Sequence, residues 1–399
     1  MNNKQTSLKA LDYSNLFLAA SKDTIGPYLS VYLKSNYHFD SMSIGIAIAS
    51  ANFSGIISQI PAGAFIDQIQ NKKIIIQIAA IFTTLSLIII LKQKLLFFII
   101  LAHGIIGLAT ATINPTISAI SLGLVGQNKF ARRVGRNEAL IHVGNVFAAI
   151  TTGIIGCFLG NQYIFYFIAL LCILGVLSVN NISNNEIDFE LARGGVNKDK
   201  NNQTQNVSLM ESLKNRTVII LFITFFLFHF ANAALLPGIG QKLSESNPHL
   251  SSLNMSVCII IAQLVMIPTA IITSRLIPKI GIKKLFIIGF LSLPLRALLF
   301  SIFISPLQLI LAQALDGISA GVFGVTSIVM ISNAAKGSGR FNFIQGCASS
   351  IIGVGSCLSN LFSGYLIKTY GYHINFMILA VIAIMGIIHS LIFIDNTRN

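Results

Sequence analysis

Charge is scarce in this chain: only 10% of its 399 residues are Asp, Glu, Lys or Arg, against about 25% in an average soluble protein. That scarcity excludes an ordinary globular enzyme, because too few polar side chains exist to surround a water-soluble core. The chain also lacks the short motifs of common catalytic chemistries. It has no G-x-x-x-x-G-K-[ST] phosphate loop, no H-E-x-x-H, no paired-cysteine spacing and no strand-turn-helix nucleophile elbow. These absences argue against ATP hydrolysis, metal binding, a cofactor and enzymatic turnover in general. No small-residue cleavage pattern follows the first apolar run, so a removable signal peptide is not expected.

What is abundant is apolar sequence, 54% of the residues, with a mean hydropathy of +0.77. A helix crossing a hydrocarbon core of about 30 Å needs about 20 such residues. Uninterrupted apolar stretches place twelve spans at 11–33, 41–66, 73–91, 95–125, 138–160, 163–183, 217–240, 252–277, 284–303, 307–331, 342–368 and 374–394. The expected fold is therefore an all-α membrane protein. The polar stretch from Asn184 to Thr217, rich in Asn, Gln, Lys and Glu, separates the spans six and six. Three regions result: 1–183, a linker at 184–216 with a short amphipathic helix near Leu209–Leu213, and 217–399.

The formal net charge of +14 encodes topology. With both termini cytoplasmic, the inner segments hold twenty Lys and Arg and the outer loops five, a strong positive-inside bias that leaves no reason to invoke nucleic acid. The expected location is the inner (cytoplasmic) membrane, with the lipid bilayer, protons and a small-molecule solute as partners of a monomer. Cys157, Cys172, Cys258, Cys347 and Cys357 all fall in spans and read as buried free thiols.

The two halves share landmarks. Pro27 corresponds to Pro237, Gly63–Asp67 to Ser274–Pro278, His103–Gly104 to Asp316–Gly317 and Gly135–Arg136 to Gly339–Arg340, at offsets of 204 to 213 residues. This order argues for a duplicated six-helix unit. Gly63, Phe65, Asp67 and Lys72, between the second and third spans, resemble the signature loop of the major facilitator superfamily, G-x-L-a-D-r-x-G-r-[rk]. Gln68, Gln70 and Asn71 depart from it, and Pro278 stands where the second-half copy would carry its acid.

The resemblance implies two pseudo-symmetric six-helix bundles, with spans 1, 4, 7 and 10 lining a central cavity. Gly63, Asp67, Lys72 and Lys73 become a gating loop. Asp23–Leu33, Gly135–Asn145 and Asp316–Gly321 are similar to a bacterial subgroup to which no substrate attaches. Multidrug exporters of the superfamily differ: here Gly144–Gly156 has no proline, and His103 stands where they tend to carry Arg.

Ionisable residues in mid-span are costly, about 2.5–3.5 kcal/mol each on insertion scales, and are functional suspects. Asp23, His103 and Asp316 are candidates for proton coupling, Asp23 first, since a buried carboxylate titrates closer to neutrality. A fixed ion pair, with Lys22 or another helix for Asp23, is the structural alternative, and a hydrogen-bonded packing role is the alternative for His103. Helical spacing puts His103, Gly107, Thr110 and Asn114 on one face, Gln313, Asp316, Ala320 and Ser327 on another, and Glu138, His142 and Asn145 on a third.

Lys22, His103, Asn114, His142, Asn145, His229, Asn232, Gln313 and Asp316 are candidate substrate contacts. Glu138 and Arg296 are expected in structural pairing, Arg296 with a neighbouring span. His389 is expected to bond locally, and His38, His249 and His373 to lie in outer loops. The mixture of histidine, Lys22 and amides points to a polar or anionic organic solute moved by proton-coupled alternating access, with efflux preferred. The rivals are a proton-coupled importer of a carboxylate-rich nutrient or metal-chelate, and a non-transport sensor or scaffold.

Overall fold

In a bilayer every backbone N–H and C=O must be satisfied within its own segment, so long apolar runs have to become helices. The computed structural model describes residues 3–37, 39, 41–195, 207–246 and 251–394, and among them it is helical with no strand. The first half holds α1 (Asn3–Tyr37), α2 (Ser41–Gln68), α3 (Lys73–Lys92), α4 (Leu96–Val125), α5 (Gln127–Phe158) and α6 (Asn161–Asn180). The linker carries η1 (Asn184–Glu186), α7 (Phe189–Ala192) and α8 (Leu209–Lys214), the last at the amphipathic segment read from the sequence.

The second half holds α9 (Arg216–Asn232), α10 (Leu235–Ser246), α11 (Ser251–Ile280), α12 (Ile282–Ile302), α13 (Pro306–Ala312), α14 (Ala314–Ala334) and α15 (Phe341–Phe393). Nine helical stretches among the described residues are long and apolar enough to cross a membrane. The last of them is 53 residues long and is broken at Gly371, whose φ of 81° is open to glycine without strain.

Three features differ from the sequence expectation. The seventh span loosens locally between α9 and α10 and the tenth between α13 and α14, with Ala233 and Gln313 still in the right-handed helical region. The eleventh and twelfth meet at one glycine, so His373 is not in a loop: its Nδ1 is 2.7 Å from Ser301 Oγ. His389 does not bond locally either, since its Nδ1 lies 3.0 Å from Thr224 Oγ1 on α9.

By contact the chain forms two units, 1–130 with 140–209 and 335–347, and 131–139 with 210–334 and 348–399. Residues of α5 and of α15 are thus divided between the two units. In the first unit, Ile25, Leu29, Tyr32, Leu87, Ile99, Ile106 and Phe165 make a core between α1, α3, α4 and α6. In the second, Phe225, Phe228, Phe286, Phe290 and Phe323 cluster between α9, α12 and α14, mostly edge to face, with Phe228 and Phe323 stacked at a ring-centre distance of 4.4 Å.

Small residues let α2 lie close against α4. A Cβ on Gly107 would lie 2.2 Å from the Ala51 carbonyl oxygen, while Ser54 Oγ donates to the Gly104 carbonyl at 2.7 Å and Ser50 Oγ to that of Ile100 at 3.1 Å. Small residues and hydroxyls bring the two backbones together where no hydrophobic force separates helix from lipid. Gly107→Leu should thus lower stability by about 1–3 kcal/mol, read as a lower melting temperature in a dye-based thermal unfolding assay. Gly153→Ala, which meets nothing within 4 Å, should leave it unchanged.

Candidate functional site

Two buried charge arrangements stand out, one in each contact unit. In the first unit, Asp67 ends α2 and is 1% exposed. A carboxylate so far from water needs donors, and it has three. The backbone N–H of Asn342 donates to Oδ1 at 3.1 Å, Asn342 Nδ2 to Oδ1 at 2.8 Å and the backbone N–H of Phe343 to Oδ2 at 2.9 Å.

Two of these donors belong to the first turn of α15, where helical N–H groups have no partner of their own and carry partial positive charge. Gly63 makes the approach possible, since a Cβ there would sit 2.1 Å from the Asn342 carbonyl oxygen. Lys72, fully buried, donates from Nζ to the carbonyls of Ile66 at 2.7 Å and Ile69 at 3.1 Å, closing the end of α2. Burial pulls its ammonium down to about 8, against the opposing attraction of Asp67. Lys73 donates to the carbonyl of Ile182 at 2.6 Å.

In the second unit, Arg296 on α12 is 1% exposed, forms an ion pair with Asp316 on α14 and donates from Nη2 to Asn232 Oδ1 at the end of α9. Gln313 Nε2 donates to the other Asp316 oxygen at 3.1 Å. His229, one turn before Asn232, packs its ring against Phe228 and Phe323. Three buried atoms near this cluster, His229 Nε2, Arg296 Nε and Gln313 Oε1, have no hydrogen-bond partner among the described residues.

Both helix interruptions fall beside these residues. The turn after Asn232 leaves the Ala234 N–H to donate to Ser359 Oγ at 3.2 Å, and at the α13–α14 junction the Asp316 N–H donates to the Gln313 carbonyl at 3.0 Å.

The other candidates are spread out. His103 is buried, with Nδ1 2.7 Å from the Ala47 carbonyl oxygen, which binds α4 to α2. Asn114 is exposed, and His142 and Asn145 are half-buried in the first unit. Glu138 belongs to the second, where a Cβ on Gly324 would lie 2.8 Å from its Oε2. Lys22 and Asp23 fall within α1, and their side chains lie outside the described residues, as do His38 and His249. Among the described residues no three His, Cys, Asp or Glu gather as a metal site. Asn342 was missed as a site residue, though the landmark Gly339–Arg340 just before it was available as a signal.

A family model described as the MFS_1 like family matches residues 8–378. The chain belongs to the MFS_1 like family. It is 34% identical over 389 residues to an uncharacterized MFS-type transporter present in two strains of Mycobacterium tuberculosis, covering 98% of this chain and 93% of the relative. The human organic anion transporter MFSD10 has the same fold, with a TM-score of 0.74 at 12% identity, covering 98% of this chain and all of that one. This MFS-type protein is thus a multi-pass membrane transporter by family, and no enzymatic family is indicated.

The ion pair gives a direct test. Arg296→Met leaves the Asp316 carboxylate without its cation and should destabilise the protein by about 3–5 kcal/mol, whereas Arg296→Met combined with Asp316→Leu should recover most of that loss. Unfolding measured on both variants in the same detergent decides it, and a single variant as stable as the parent would contradict the pairing.

Proposed function

We propose that this MFS-type transporter moves a small polar or anionic organic solute across the cytoplasmic membrane by proton-coupled alternating access. Twelve spans, both termini cytoplasmic, form two six-helix bundles around a midplane site. The observation that carries the reading is the cluster of Arg296, Asp316, Asn232 and Gln313 at two helix interruptions. A buried Arg supplies a fixed positive charge for an anionic one, and a carboxylate beside it supplies a site that a proton can neutralise.

Asp316 is accordingly the proton site of the second bundle and Asp23 that of the first. His103 remains a further candidate for coupling or solute contact, with its bond to the Ala47 carbonyl available to fix the tautomer that α4 presents. Asp67 and the start of α15 form the cytoplasmic gate. The three hydrogen bonds on Asp67 hold residues 341–343 while the gate is closed, and their release accompanies opening. Efflux is the preferred direction, and import of a carboxylate-rich nutrient is its rival.

Untargeted mass spectrometry of medium and cell interior tests this, comparing cells that carry the protein, lack it, or carry Asp316→Asn or Asp23→Asn. The expected result is a solute enriched outside only with the intact chain. Enrichment inside would make the protein an importer. Neutralising either acid should abolish accumulation driven by the gradient while sparing solute exchange. Full uphill transport by Asp316→Asn would remove that residue from coupling.

A further inference from the structure

The linker between the two halves has a role that composition hides. Leaving α6, residues 182–195 do not pass into solvent but pack within the first contact unit. Asp188 caps α7, its side chain accepting the Leu191 N–H at 3.0 Å, and its own N–H donates to the Gly123 carbonyl at 3.2 Å. A Cβ on Gly123 would come within 2.8 Å of Ile187 and 2.9 Å of the Asp188 carbonyl oxygen, so the end of α4 is shaped to receive this segment. Ala192 is fully buried with Ile66, Ile75 and Ala119.

From that seat the segment reaches both parts of the gate. Toward the α2–α3 loop, the Phe189 ring centre lies 5.2 Å from Lys72 Nζ, the ammonium that closes α2 beside Asp67. Toward the start of α15, the Arg193 carbonyl accepts the Phe341 N–H at 3.0 Å, the Gly194 carbonyl accepts the Gly337 N–H at 2.7 Å and the Ala192 carbonyl accepts Asn342 Nδ2 at 3.2 Å. The Arg193 guanidinium, 5.6 Å from the same Phe189 ring, donates from Nε to the Gly339 carbonyl at 3.4 Å. Asn342 is thus shared, donating from one amide nitrogen to Asp67 and to the linker.

We infer that Phe189 and Arg193 are positioning residues of the cytoplasmic gate: Phe189 holds Lys72, Arg193 holds the turn at 335–340, and the start of α15 cannot leave Asp67 without also breaking from the linker. The inference rests on the gate reading of Asp67. It makes 182–195 a working part of the transporter whose substitution changes how often the gate opens.

The reporter is already in the chain. Cys347, 5% exposed, follows Gly346, whose Cβ would lie 2.2 Å from the Gln59 carbonyl oxygen of α2, so its shielding depends on the start of α15 staying seated. Cys258, fully buried in the second unit, is the control. In full-length protein in native membranes, with Cys157, Cys172 and Cys357 replaced by Ser, the rate of maleimide labelling is followed by mass spectrometry.

Phe189→Ala and Arg193→Ala should each raise labelling of Cys347 by about three- to tenfold. Phe189→Tyr should stay near the parent rate, and Cys258 should not change. Asp67→Asn reports on the gate itself. If Asp67→Asn accelerates Cys347 labelling and the two linker variants do not, the inference is overturned and the gate stands. If none of the three accelerates it, the gate reading fails and takes the inference with it. Faster labelling of both thiols in the linker variants indicates general loosening and also overturns the positioning role.

Discussion

A carboxylate 1% exposed cannot rest on solvent, and Asp67 is held by N–H donors from a segment 275 residues away in sequence. The same contact answers two problems. It solvates a buried charge, and it satisfies the first amides of α15, which no helix can satisfy alone. Because it is made of directional bonds and not of packed hydrocarbon, it has a defined bonded state and a defined broken one. That is what a gate requires, and the glycine at 63 exists in this arrangement to let the two backbones meet.

The second unit handles buried charge differently. Arg296 and Asp316 neutralise each other, with Asn232 and Gln313 bonding the remainder. An ion pair of this kind adds little net stability, because desolvation offsets most of the attraction. In the proposed mechanism its value lies in responsiveness, because a proton on the carboxylate or an anion at the guanidinium would change that balance.

Much of this was legible in the sequence, for physical reasons. Apolar length announces spanning helices, so α3, α4, α6 and α12 lie close to their expected bounds. Gly63, Asp67 and Lys72 announce their loop through their resemblance to the superfamily signature, and Arg296 and Asp316 announce themselves as charges in apolar runs. Partners were not legible, because a motif fixes what a residue needs and not which distant segment provides it. Nothing near Asp67 names Asn342.

The helix breaks at Ala233 and Gln313 were hidden for another reason: no proline or glycine stands at either point, and tertiary bonds such as that to Ser359 decide them. The packing of the linker was not legible in its composition: Asn, Gln and Lys mark a polar connector, while Ile187, Phe189 and Ala192, too few to register as a span, do the packing.

The dependence of the gate on Asp67 is the central claim, and a distance measurement tests it most directly. Spin labels at Gln70→Cys and Lys336→Cys, both exposed positions flanking the contact, in a background free of native cysteines, allow pulsed electron paramagnetic resonance in lipid. The account predicts a narrow short-distance population in the parent protein and a shift toward longer distances on Asp67→Asn. An unchanged distribution in that variant would contradict it.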